Sequence, residues 1–187
     1  NIPYMAILLI DAFKKKGNLS IDNPDKVLSE ILQGKKELDE QSKDVLRAIS
    51  LFEPLGKDHG VKDEYDYVTH SCKIHHIKQR QDIVDAGFAD TIRDFENRQL
   101  IEHEGSCIRI RPRPLAEWLT ESWLQKNKEF APVIEDINQQ EDDLKRRLFR
   151  ALSNRIKLMT SSKFAPQIFD ELNNPDTGSF HDERIAF

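Results

Sequence analysis

The stretch from Phe88 to Trp123 constrains the fold most, because its hydrophobic period changes from helical to strand-like and back. Helical spacing relates Phe88, Ile92, Phe95 and Leu100, and apolar residues then flank the polar turn Glu104-Gly105-Ser106. Beyond the prolines at 112 and 114, helical spacing resumes at Leu115, Trp118, Leu119 and Trp123. We expect a helix, a two-stranded β-wing and a further helix, an order typical of a winged helix-turn-helix.

The segment before this stretch supplies the other helices of such a unit. Asp39 to Leu55 has apolar residues at i, i+3 and i+4, which predicts the first helix, and Gly56 follows it. Lys57 to Tyr67 is charged with little periodicity, so we expect a loop. Val68 to Ala86 predicts the second helix and its lead-in, and Gly87 is expected to end it before the third helix.

Helical patterns flank the unit on both sides, so the predicted fold is mainly α. A helix over Tyr4–Lys16 and another beginning at Asn23-Pro24 predict a helical lid over residues 1–36, followed by a winged-helix domain over 37–127. Residues 128–187 carry amphipathic segments that predict the start of a C-terminal helical array; they are Val133–Ile137, Leu144–Met159 and Phe164–Leu172.

Composition narrows the classes of function. The 187 residues carry a formal net charge of -5, and the longest apolar run, Met5 to Ile10, is far shorter than a membrane span. We therefore expect a cytoplasmic protein without membrane contact. Cys72 and Cys107 have no C-x-x-C partners, so we interpret them as buried small hydrophobes and predict no metal site. Because the chain begins at Asn1 without methionine, we interpret it as a piece of a longer protein.

No catalytic residue is predicted. The chain has no glycine-rich phosphate loop, no G-x-S-x-G and no H-E-x-x-H. The acidic run Glu141-Asp142-Asp143 fits the first turn of a helix. The basic residues that follow it are expected to form a solvated face, supported by the pairs Asp142–Arg146 and Asp143–Arg147.

DNA binding is the obvious function to test for a winged helix. The third helix carries Asp90, Asp94 and Glu96 against Arg93 and Arg98, whereas a helix that enters the major groove is usually cationic. The wing offers Arg109, Arg111 and Arg113, which alternate and are expected to share one strand face opposite Cys107, Ile108 and Ile110. That face is either a minor-groove contact or a solvated, salt-bridged surface.

In their order, three segments resemble the STAND class of P-loop NTPases, particularly large bacterial ones of the antiviral type. They are the opening segment Asn1-Ile2-Pro3-Tyr4-Met5-Ala6-Ile7-Leu8-Leu9, the wing exit Ile108-Arg109-Ile110-Arg111-Pro112-Arg113-Pro114-Leu115-Ala116, and the helix and turn from Phe164 to Phe180. The resemblance implies a lid and winged helix that close over ADP at rest and swing away with ATP, so that sensing by C-terminal repeats leads to oligomerisation and activates an effector.

The resemblance also implies which residues meet the nucleotide. Pro3 would pack near the adenine, and Arg113 would lie close to the phosphates, at a position where relatives carry a histidine. The P-loop would precede residue 1, so the chain itself is expected to hold no cofactor while the parent protein binds ATP or ADP. The expected partners are the chain's own nucleotide-binding domain and other protomers, with nucleic acid not expected.

Two other functions stay open. The first is a winged-helix transcription regulator, which would bind DNA through Arg109, Arg111 and Arg113. The second is a protein-interaction scaffold with no ATPase upstream.

Overall fold

A computed structural model describes residues 24–33, 38–71, 74, 81–127, 130–159, 162 and 164–172. The described chain is mostly helical with a small antiparallel sheet. The elements in order are α1 (Pro24–Gln33), α2 (Glu40–Ser50), β1 (Leu55–Gly56), a 3₁₀ turn (His59–Val61), α3 (Lys62–His70), α4 (Gln81–Asn97), β2 (Ile101–Glu104), β3 (Cys107–Ile110), α5 (Arg113–Asn127), α6 (Ala131–Asn138), α7 (Asp142–Leu158) and α8 (Ala165–Leu172).

The sheet confirms the predicted hairpin and adds a strand to it. β3 pairs with β2, placing Ile101 opposite Ile110, and the turn between them contains Gly105 with φ of 61°. β3 also pairs with β1, which places Leu55 opposite Ile108 and makes the strand order β1-β3-β2. β1 was not predicted, because two residues are too short to show a period.

Helix α2 lies at the centre of the core. Asp39 caps its N-terminus, accepting a 2.6 Å hydrogen bond from the Ser42 backbone N–H. Its apolar face packs mainly against α5 and α4. The side chains it buries are Val45, Leu46, Ala48 and Ile49.

Two predictions about the segment after α2 are wrong. Residues Lys57 to Tyr67 are not all loop, because α3 begins at Lys62. Its buried face includes Glu64, which is only 5% exposed. Because this buried residue is a carboxylate, the segment lacks the apolar periodicity that predicts a helix. Gly87 does not end a helix either, because α4 runs through it. The packing of Phe88, which is fully buried, offsets the weak helix propensity of a glycine.

The predicted helices after the wing are confirmed. α5 begins at Arg113 with Pro114 in its first turn. In the predicted segment Leu144–Met159, Leu144 is partly buried, and the other apolar residues at helical spacing are buried: Leu148, Leu152, Ile156 and Met159. Trp123 is buried edge-on to Phe130 with ring centroids 5.8 Å apart, and its indole N–H donates to the carbonyl of Ile74. The chain from 130 to 159 therefore packs onto the same core as α2 and α5.

Some predicted elements lie outside the described residues. These are the helix over Tyr4–Lys16, Cys72, and the turn after residue 172. The boundaries proposed at residues 36/37 and 127/128 stay predictions.

Candidate functional site

The most informative concave surface is a cleft of about 580 Å³ between the β2–β3 hairpin and the start of α5. Arg111 and Arg113 lie on its wall together with the carboxylates of Glu96 and Glu102. The remaining lining residues are Gln99, Ile101 and Pro112. The cleft therefore gathers two cations that the sequence singled out, and places two anions beside them.

Arg113 is the first residue of α5 and connects two helices. Its Nε donates to Glu117 Oε1 at 2.6 Å, one turn along the same helix. Its Nη2 donates to the backbone carbonyl of Leu158, the last residue of α7. A guanidinium at a helix C-terminus satisfies a carbonyl that has no partner within the helix. Arg113 thus joins the cleft to the end of α7.

The three wing arginines do not share one strand face, contrary to the prediction. β3 ends at Ile110, so Arg111 follows the strand and Arg113 already belongs to α5. Arg109 points to the side of β3 that also carries the half-buried Cys107, and it pairs with Glu104 and approaches Glu53. Only Ile108 and Ile110 occupy the buried side.

Arg111 lies in an exposed ion pair. Its Nε donates to Glu102 Oε2 on β2 at 2.9 Å, and both side chains are more than a third exposed. Such pairs are screened by solvent and contribute little to stability. An anionic ligand in the cleft would therefore compete with Glu102 for Arg111 at low energetic cost.

Glu96 borders the cleft on the side of α4. Burial raises its pKa, but hydrogen bonds from Lys57 Nζ at 2.7 Å and His103 Nε2 at 2.6 Å outweigh burial, so the pKa lies below its usual value. Glu96 is accordingly charged at neutral pH, and it repels an anion unless the Lys57 ammonium screens it.

The outward face of α4 is not a cationic surface. Its exposed residues include Asp90 and Asp94, with Arg93 as the exposed cation. Arg98 is drawn inward, where its Nη2 donates to the carbonyls of Ile31 at 2.9 Å and Leu32 at 2.6 Å in the last turn of α1. Burial lowers the pKa of Arg98, opposed by the charge of Asp94.

A second cleft, of about 350 Å³, separates the start of α2 from α4. Asp39, Asp90 and Asp94 line it, and no lysine or arginine is among its lining residues. This surface would repel a phosphate backbone.

Several well-connected polar residues were missed from the sequence. Arg155 of α7 was not singled out, yet it is only 1% exposed. Arg147 was predicted to pair with Asp143 on a solvated face; instead it reaches α3 and pairs with Asp63 and Glu64. Arg146 takes Asp143 as its partner, and Asp142 pairs with Lys145.

Pro3, the other predicted nucleotide contact, lies outside the described residues. Among the described residues, no group of three His, Cys, Asp or Glu side chains is placed to hold a metal ion. Nor does any helix in the described segments have the length and apolar character needed to cross a bilayer. No family model, curated protein or solved structure matches the chain.

Proposed function

We propose that this chain is a regulatory module of a STAND-type signalling ATPase, in which a winged-helix unit docks on a nucleotide-binding domain and couples nucleotide state to assembly. The order α2, β1, α3, α4, β2, β3 and the sheet order β1-β3-β2 support a winged-helix topology. In this topology α4 is the helix that would meet DNA.

The observation that carries the proposal is the charge on α4. Its outward face exposes Asp90 and Asp94 against Arg93, and Arg98 binds carbonyls of α1 instead of facing outward. A helix of this kind is poorly suited to a polyanion but can pack on protein. A role in signalling or defence follows from the family resemblance and is part of the proposal.

The cleft fits a single phosphate contact better than a whole nucleotide. Arg111 and Arg113 provide guanidinium donors suited to phosphate oxygens, while Glu96 and Glu102 limit how much negative charge the cleft accepts. The other phosphate contacts would come from a P-loop on the neighbouring domain. ATP or ADP would thus bind the parent protein, with Arg113 as one contact.

The coding sequence on either side of residues 1–187 tests the ATPase assignment. We expect a G-x-x-x-x-G-K-[ST] segment upstream of Asn1. Its absence would overturn the assignment and leave a scaffold or a regulator.

In the parent protein, Arg113→Gln tests the phosphate contact. Loss of one charged hydrogen bond is expected to weaken ADP binding about tenfold, measured by calorimetry. Arg146→Gln is the control, since it removes an exposed arginine of α7 that pairs with the nearby Asp143. An unchanged ADP affinity in Arg113→Gln would remove Arg113 from the nucleotide site.

Duplex DNA separates the proposal from the transcription regulator. Titration of labelled duplex at low salt is expected to show no binding. Binding that falls steeply with added salt, and that Arg111→Gln weakens, would favour the regulator instead.

A further inference from the structure

A buried polar cluster joins α7 to the helix–strand unit before it. Arg155 of α7 extends into the core, where its Nε donates to the carbonyl of Ser50 at 2.8 Å and its Nη2 pairs with Glu53. The same carbonyl accepts a 2.8 Å hydrogen bond from the Thr120 hydroxyl of α5. We name Ser50, Glu53, Thr120 and Arg155 the Arg155 joint; it brings together the end of α2, the middle of α5 and α7.

The backbones of the two parts are also bonded directly. The N–H of Glu53 donates to the carbonyl of Ala151 in α7 at 2.9 Å. This carbonyl lies within the helix, one turn before Arg155, so the loop after α2 is held along the side of α7. Side-chain and backbone contacts therefore fix the same segment.

Helix α3 makes a second connection. Arg147 of α7 donates from Nε to Glu64 Oε1 at 2.9 Å and also pairs with Asp63. The other oxygen of Glu64 accepts from the backbone N–H of Gly56 in β1 at 2.8 Å. One carboxylate thus links α7 to the sheet through α3.

A third connection involves α6. The hydroxyls of Tyr67 and Ser71 donate to Asp136 Oδ2 at 2.9 and 2.7 Å. Asp136 lies in α6, and Tyr67 is near the end of α3. The first two helices that follow residue 130, α6 and α7, are therefore both bonded to α3.

Apolar side chains of α7 belong to the same buried cluster as those of α2 and α5. Leu148, Phe149 and Leu152 of α7 are at most 1% exposed. Exposing such side chains to water is unfavourable. A flexible joint between two such parts would need fewer buried contacts than these.

We infer that the described residues of 38–127 and 130–159 form one mechanical body closed by the Arg155 joint, so that no hinge lies between the winged-helix unit and the helices after it. Arg113, bonded to the last carbonyl of α7, then carries the position of α7 directly to the cleft. A displacement of α7 would therefore be transmitted to the cleft through this hydrogen bond. This inference goes beyond the proposed function and holds whether or not the parent protein is an ATPase.

Native-state hydrogen exchange of the whole chain, followed by mass spectrometry in low denaturant, tests the inference. We expect the slowest amides of α2, α5 and α7 to share one opening free energy and to merge into one unfolding event. Exchange of α7 about tenfold or more faster than that of α2, through a separate opening, would overturn the single body.

Arg155→Met sharpens the test, with Arg146→Met as the matched control in the same helix. Removing the Arg155 guanidinium leaves Glu53 without its buried partner, so exchange of α2, α5 and α7 should accelerate together by about a hundredfold or more. Arg146→Met should change none of them. Acceleration confined to α7 would overturn the inference, and if Arg155→Met fails to fold, Arg155→Lys provides the same comparison at a smaller perturbation.

Discussion

Two sets of arginine–carboxylate pairs in this molecule use the same residue types in different surroundings. In the wing, Arg111 and Glu102 meet at 2.9 Å with side chains 38% and 55% exposed. In the Arg155 joint, Arg155 and Glu53 pair with side chains 1% and 13% exposed. Water solvates the first pair before and after it breaks, whereas breaking the second leaves a charge inside the protein. The difference teaches that burial, and not the pairing itself, decides which arginine matters to the fold.

The largest expected effect is in the Arg155 joint. Arg155→Met should lower the free energy of unfolding by about 3–5 kcal/mol, because Glu53 loses its buried partner. The double variant Glu53→Gln/Arg155→Met should recover part of that loss, since no uncompensated charge remains. Urea denaturation measures both.

Arg111→Gln breaks the exposed pair with Glu102, and we expect it to lower the free energy of unfolding by about 0–1 kcal/mol. Equal losses in Arg111→Gln and Arg155→Met would remove the contrast between the two sets of pairs.

Gly56 lies next to the buried carboxylate of Glu64 and gives the next largest effect. A Cβ at Gly56 would stand 2.6 Å from the Val61 carbonyl oxygen and 2.9 Å from Glu64 Cδ. Gly56→Ala should therefore cost about 1–3 kcal/mol in thermal or urea unfolding. Gly60→Ala is the control, because nothing lies within 4 Å of its Cβ position. Similar stability of the two variants would show that the carboxylate is not held tightly.

At two exposed positions with positive φ, Gln99 and Gly105, backbone conformation should determine the effect of a substitution on stability. Gln99 has φ of 58° just after α4, where its N–H donates to the Glu96 carbonyl and that of Leu100 donates to Phe95. Glycine suits this conformation, so Gln99→Gly should stabilise the chain by about 0.5–1 kcal/mol. Gly105→Ala, at φ of 61° in open space, should destabilise it by about 1 kcal/mol. A stability change of the same sign in both would contradict this account.

The smallest expected effect is on the pH dependence of stability, because the pKa shifts of Glu96 and Glu64 have opposite signs. The pKa of Glu96 is lowered by its cations, so its contribution is present above the unfolded pKa and is lost as pH falls through the folded value. The pKa of Glu64 is raised chiefly by burial, so its contribution is present at low pH and is lost as pH rises through the folded value.

Urea midpoints from pH 3 to 7 measure this difference. Glu96→Gln should flatten the rise of stability with pH, which begins near the lowered folded pKa and is complete above the unfolded pKa of about 4.3. Glu64→Gln should remove an opposing slope and make the rise steeper. A shallower rise in Glu64→Gln would mean that Arg147 and Gly56 outweigh burial.

The sequence predicted the elements that have a periodic apolar pattern and missed the features that depend on contacts between residues distant in the chain. The β2–β3 hairpin was predicted because Ile101, Ile108 and Ile110 flank a short turn, and α7 because its apolar residues follow the helical period. α3 was missed because its buried face includes Glu64, and Arg155 could not be distinguished from Arg146 and Arg150. Each depends on a partner far away in the chain, which no local pattern reports.

The candidate site was predicted in part. The sequence pointed to Arg111 and Arg113, which the cleft brings together, but it also grouped Arg109 with them. A strand of four residues ends before the alternation does, so the three side chains diverge. The contact of Arg113 with Leu158 spans 45 positions and gave no sequence signal.

The crowding at Gly56 also offers a way to detect distant homologues of this chain. A side chain at Gly56 would displace Glu64, and Glu64 in turn binds Arg147, so substitutions at these three positions should covary among homologues. A search keyed to a glycine, a glutamate eight positions later and an arginine 83 beyond that would select for shared architecture even after overall similarity has faded.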